Sequence, residues 1–274
     1  METIHLSEWE LAAVYLMLGG PVAMMAWLRM GIVRETVYAV LRMTVQLWLV
    51  GIYLTVIFEF NAWWLNALWI LAMLVVANFS ILRQARLVWR RFFSATFAGT
   101  AIATAGVSLF LVFFIIRPSP LYDARYMIPI VGMVLGNCMR GNVLALERFY
   151  SGIRENEKEF ITYHMLGATL TEAVRPYMQR ALRAAAGPLL ATIATMGIVS
   201  LPGMMTGQIL GGSVPVTAIK YQIAIVIAIF SAMIMASVLN LLFSMKIAFD
   251  DFGMLKTDIF IQSIKPGPLG QVRE

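Results

Sequence analysis

The twenty residues WWLNALWILAMLVVANFSIL, positions 63–82, carry no charged side chain and only three small polar ones, Asn66, Asn78 and Ser80. As a helix rising 1.5 Å per residue the run is about 30 Å long, the thickness of a bilayer's hydrocarbon core. Its flanks suit that solvent: two tryptophans open it and Arg83 closes it, residue types that settle at the membrane–water boundary.

Working outward, six further apolar runs of similar length are bounded by charge, Trp or Pro: 9–30, 36–58, 95–116, 127–146, 188–210 and 221–243. The composition agrees. Sixty per cent of the 274 residues are hydrophobic and 13% charged, whereas soluble domains sit near one half and one quarter. The chain therefore reads as an all-α polytopic membrane protein with about seven transmembrane helices. Residues 1–246 form the transmembrane domain and 247–274 a cytoplasmic tail, whose last stretch, KPGPLGQVRE, has the Pro and Gly content of a disordered end.

Basic residues mark the ends of these runs instead of forming one patch, so the net charge of +6 speaks for topology and against nucleic acid. With the N-terminus outside and the C-terminus cytoplasmic, 18 of the 21 Lys and Arg lie inside, leaving only Arg117, Arg125 and Lys220 outside. That asymmetry is the positive-inside rule. The acidic start, with Glu2, Glu8 and Glu10, is unlike a cleavable signal peptide. A single cysteine, Cys138, excludes an intrachain disulfide framework.

The longest connection, 151–187, is polar, helix-prone and too long for a turn between spans. Thr169 and Glu172 have capping-box spacing, which starts a helix. Gly167 just upstream permits a sharp reversal, and Pro176 is expected to break or kink the new helix. The product is a short helix at the tip of a cytoplasmic protrusion, with Arg175, Arg180 and Arg183 behind it. An ordinary juxtamembrane loop with arginines facing lipid phosphates is the other reading of the same residues.

HMLGATLTEAVRPYMQRALRAAAGP, 164–188, resembles the coupling region of the FetB or YbbM group of ABC-transporter permeases. IPIVGMVLGNCMRGNVLALERF, 128–149, resembles that family's fifth-span signature, GIVSLPGMMTGQILGG, 197–212, its sixth, and AIKYQI, 218–223, the start of its last span. Arg42, Gln46 and Gly51 also fit. His164, Ala194 and Thr195 depart from the pattern. The resemblance implies a permease of the bacterial inner membrane working in export, with iron or another metal as cargo and metal homeostasis as the setting; a nucleotide sugar or other small solute is the alternative. It further implies a separate nucleotide-binding ATPase subunit that docks on Leu166, Gly167, Ala168, Thr169, Glu172 and Arg175, and a second copy of this chain in a 2+2 complex. No Walker A loop occurs in the sequence. The chain is thus expected to be no enzyme and to bind no cofactor, with ATP and Mg on the partner subunit.

Candidates for the transport pathway are intramembrane polar groups. Met133, Asn137 and Arg140 recur at i, i+4 and i+7, one face of a helix. Asn137 could instead bond a neighbouring helix that Gly132 and Gly136 let approach. Pro202, Gly203, Gly207, Gly211 and Gly212 should interrupt the sixth span. Broken backbone at that depth must be buried in protein or line a cavity, where Ser200, Met204, Met205 and Gln208 could meet a solute, with Gln46 from the second span. Methionines more often pack than bind metal. His5 and His164 are isolated, so no fixed metal site is expected. Glu59 is either a cation contact at the outer surface or a solvated helix end. A secondary transporter would be expected to carry midplane carboxylates, and this chain has none.

Overall fold

A computed structural model describes residues 7–260. The first helix, α1 (Glu8–Trp27), opens on a capping box: Ser7 Oγ accepts the Glu10 amide and the Glu10 carboxylate accepts the Ser7 amide at 2.7 Å. α2 (Val33–Phe60) stops at Asn61, whose left-handed φ of 37° is tolerated because its side-chain oxygen accepts the Ala124 amide. α3 (Trp63–Gln84) and α4 (Trp89–Phe110) follow, and α4 runs on as a π turn, Leu111–Ile116. The remainder comprises α5 (Ala124–Glu155), α6 (Glu157–Met165), α7 (Leu170–Thr195), α8 (Gly203–Leu210), α9 (Pro215–Ala248) and a 3₁₀ turn, Thr257–Ile259.

Among the described residues six helices are long and apolar enough to cross a membrane: α1, α2, α3, α4 with its π extension, α5 and α9. The run at 188–210 is not one helix. It consists of the end of α7, a break over 196–202 and the short α8, as its glycines and proline suggest. The helix-prone reading of 151–187 holds, whereas the short helix expected behind Thr169 needs correction. The connection at 151–187 is helical except at Asn156 and 166–169, because α5 continues nine residues past 146 with Phe149, Tyr150 and Ile153 buried. Pro176 and Pro188 both lie inside α7 without ending it. Burial of Ala173, Val174, Tyr177, Ala181 and Ala185, chiefly against α5, outweighs the hydrogen bond each proline forfeits. The helix that starts at Thr169 is therefore long, not short. The tail expectation for KPGPLGQVRE falls outside the described residues.

α3, α4, α5, α7 and α9 form the bundle. Lipid offers helices no hydrophobic reward for associating, so close contact and polar bonds must hold them. Both are present. A Cβ at Gly99 would collide with Asn240 of α9, and one at Gly141 with Met233, so these glycines let α4 and α5 seat directly on α9. Every fourth residue of α4 from Thr96 through Thr100 and Thr104 to Ser108 is a buried hydroxyl. Thr100 Oγ1 accepts amide hydrogens from Asn142 at 3.3 Å and Asn240 at 2.9 Å, tying three helices at one point.

α1 and α2 are peripheral: α1 leans on α2, and α2 meets the bundle through Ile57, buried with Ala124 and Ile128. The other ends of α3 and α4 gather with those of α5, α7 and α9. There Leu87, Phe149, Phe160, Tyr177 and Ile259 share one core, and Val88 N donates to Ile259 O at 2.9 Å. This end also carries Arg83, Arg86, Arg90 and Arg91 and is called the basic end below.

Candidate functional site

Two regions answer to the sequence candidates. The first is the α6–α7 turn at the tip of the basic end. α5 spans about 48 Å at 32 residues, well beyond the hydrocarbon thickness, and α6 and α7 fold back along the excess. Tyr177 Oη donates to Glu159 Oε2 at 3.2 Å, which ties α7 to α6, and within α7 the Arg180 guanidinium lies over the Tyr177 ring at 4.7 Å. Between the two helices the backbone turns at Gly167, with φ +87°, a value costly for any side chain. Gly167 N donates to His164 O and Ala168 N to Tyr163 O, both at 3.0 Å.

α7 then opens on the expected capping box. Glu172 N donates to Thr169 Oγ1 at 3.4 Å, while Glu172 Oε2 accepts from Thr169 Oγ1 at 2.7 Å and Thr169 N at 2.8 Å. The bonds from the Thr169 hydroxyl and then its amide hold the Glu172 carboxyl below its ordinary pKa. The tip thus brings Leu166, Gly167, Ala168, Thr169 and Glu172 together, with Arg175 exposed one turn on. Leu166 is 80% exposed and its neighbour Met165 82%. Two large exposed apolar side chains side by side are unusual on a surface that faces only water.

The second region is at membrane depth. Met133, Asn137 and Arg140 do share a face of α5. Asn137 Nδ2 donates to Met133 O of its own helix at 2.8 Å, not to a neighbour, so it is half-buried along the face and Arg140 is exposed beyond it. Met133 and Met204 both pack against the core that α4, α5 and α9 share, and α8 itself lies against α9. Met205 is buried, Gln208 half-buried with no partner for its side-chain oxygen, and Ser200 exposed, its carbonyl accepting the Gly197 amide. Gln46 does not join them. It is exposed on α2, eleven residues from the Ile57 contact.

The break itself is open to the outside. Gly197 has φ +86°, and Ile198, Val199 and Leu201 are 90%, 79% and 61% exposed. Sequence reasoning missed a third group, the buried polar seam of α4, α5 and α9. Asn142 and Asn240 leave their side-chain oxygens unpaired there, as do Thr104, Ser108 and Ser237. The four-residue recurrence of hydroxyls in α4 was its visible signal. Among the described residues no three His, Cys, Asp or Glu side chains gather as a metal centre would require.

Comparison with known proteins adds the family. The sequence profile of the uncharacterised protein family UPF0014 matches residues 8–249. The UPF0014 membrane protein YjkA of Bacillus subtilis is 35% identical over 202 residues, covering 72% of this chain and 77% of the relative. Protein ALUMINUM SENSITIVE 3 of Arabidopsis thaliana is 32% identical over 227 residues, covering 82% and 81%. The probable iron export permease protein FetB of Escherichia coli is 28% identical over 211 residues, covering 77% and 80%. No solved structure matches.

Proposed function

We propose, from the premise that this chain belongs to the UPF0014 family of multi-pass membrane proteins, that it is the permease subunit of an ATP-binding-cassette exporter. The observation that carries this reading is the α6–α7 tip: a capped, glycine-turned knob presenting Met165 and Leu166 beyond the membrane. An ATPase cleft that receives the knob would move α6 and α7 together, and with them the long end of α5. The positive-inside asymmetry supports placing this end in the cytosol, where ATP is held, with the N-terminus outside.

A second copy of the chain completes the unit. Irregular backbone is not stable against lipid, and one chain leaves its own break at 196–202 uncovered. The Met133, Asn137 and Arg140 stripe and α8 would then line a path between copies. Cargo is read from the printed name of the FetB relative as iron or another metal. One observation favours the alternative, a nucleotide sugar or another small solute. Arg42 and Arg140 lie within α2 and α5 toward their basic ends, while Glu35 and Glu59 lie at the ends of α2.

The test is to tag the C-terminus, extract in mild detergent and identify co-purifying proteins by mass spectrometry. A stoichiometric ATP-binding-cassette ATPase, lost in Gly167→Val, is the expected result. Its absence under several gentle conditions would overturn the reading.

A further inference from the structure

We propose that the ATPase grips this chain at two places, the α6–α7 tip and Phe252 on the strap that follows α9, and that the contact of Gly253 with His164 holds the two together as one docking face. The inference rests on the permease reading above.

The strap is a built structure. After α9 it turns at Asp250, whose Oδ1 accepts the amides of Phe252 at 3.0 Å and Met254 at 2.7 Å, and Asp250 N donates to Met254 O at 3.0 Å. Gly253 completes the turn with φ +76° and fits against the His164 imidazole so closely that a Cβ would lie 3.0 Å from Cε1. The other flank of His164 is the Phe160 ring, edge-on at 4.8 Å. The strap then returns to the bundle: Lys256 N donates to Ala248 O, Arg91 pairs with Asp258 at 2.7 Å, and Ile259 is fully buried.

Phe252 is one residue from Gly253 and Met165 one residue from His164, so this contact joins the two segments that carry these exposed apolar side chains, 86% and 82% exposed. Lipid is the wrong cover for Phe252. Asp250 and Asp251 adjoin it, and carboxylates are costly in hydrocarbon. An apolar ring presented to water on a hydrogen-bonded turn that touches the tip through Gly253 and His164 is suited to bind the same protein as the tip. The partner it fits is the ATPase already docked at Leu166. Its movement would then reach α9 and the α3–α4 turn through the strap as well as α5 and α7 through the tip.

The experiment places the photo-crosslinker p-benzoyl-phenylalanine at position 252, 166 or 198 in the tagged full chain, purified with the ATP-binding-cassette ATPase identified above. Crosslinks to the ATPase from 166 and 252, and not from 198, are expected. Crosslinking from 166 alone overturns the two-place grip and leaves the permease reading intact. Crosslinks from 252 to lipid or to a second copy of the chain overturn it too. If no ATPase accompanies the unsubstituted chain, the permease reading itself fails. As a second measurement, Phe252→Asp should lower ATPase retention by about tenfold, as losing an interface anchor does, with thermal stability unchanged because the ring is exposed. Retention within about twofold of wild type would sink the proposal.

Discussion

The two interruptions that bracket α7 are built in opposite ways. At its start, the turn at 166–169 is closed by a capping box, by amides donating to Tyr163 and His164, and by the burial of Phe160 and Tyr177 beneath it. At its end, the break at 196–202 is also bonded within itself, Gly197 N to Ser200 O and Val199 N to Thr195 O, but no residue from 186 to 204 is buried and Ile198 is almost fully exposed. One sits over a buried core; the other does not. A stiff joint suits a part that is pushed, and an uncovered one suits a surface that must open and close against a partner.

The sharpest way to break this contrast is Gly167→Val. A β-branched residue at φ +87° carries a strain of about 1–3 kcal/mol, and the tip should lose its shape. Substrate-stimulated ATPase activity of the reconstituted complex should disappear while the chain still inserts and elutes as one species; normal stimulation would show that the tip is not the joint. Gly197→Val introduces the same strain at the other interruption, where φ is +86°. Here ATPase retention should be kept and transport should fall about tenfold or more, as expected when strain of this size is placed in a moving part. Equal loss of ATPase binding in both variants would erase the distinction.

Asn137→Ala is a finer probe. Because its side-chain amide bonds the backbone of its own helix, assembly should be unaffected, whereas export kinetics should change severalfold if the stripe faces the path. Unaltered export would make Asn137 a surface of α5 and nothing more. The smallest effects belong to the cap. Thr169→Ala should destabilise the start of α7 by about 1 kcal/mol, read as faster amide exchange at residues 169–173. The Glu172 carboxyl is held below its ordinary pKa, so its contribution is complete above the unfolded glutamate value of about 4.3 and is lost as pH falls through the lower folded value. The protection that separates wild type from Glu172→Ala at pH 7 should therefore vanish under acid. A difference that persisted at pH 2 would assign it to packing.

Much of this was legible in the sequence because the bilayer imposes a simple rule: a long uncharged run must be a helix. The runs at 63–82 and 221–243 sit within α3 and α9, and Thr169 and Glu172 announce the start of α7 in four residues. Where water takes over, the rule lapses. The end of α5 was hidden because Glu147, Arg148 and Arg154 interrupt the apolar run, although Leu146, Phe149, Tyr150 and Ile153 continue a buried helical stripe through them. Pro176 misled for a related reason. Local propensity argued for a break, and the tertiary contact of α7 with α5, which no local window contains, overrode it. Gln46 lies apart from the α5 stripe because sequence gives depth but not which way a peripheral helix faces.

The length of α5 has a mechanical consequence. Of its roughly 48 Å, about 18 Å stands clear of a 30 Å hydrocarbon layer. Braced by α7, that segment behaves as a stiff mast rooted among α3, α4 and α9. A swing of about 10° at the membrane surface would carry its far end through about 3 Å, roughly the rise of two helical residues. The same geometry run backward turns a sideways pull of a few ångströms at the tip into a small rotation of the buried half, with the seam at Thr100, Asn142 and Asn240 as its fulcrum.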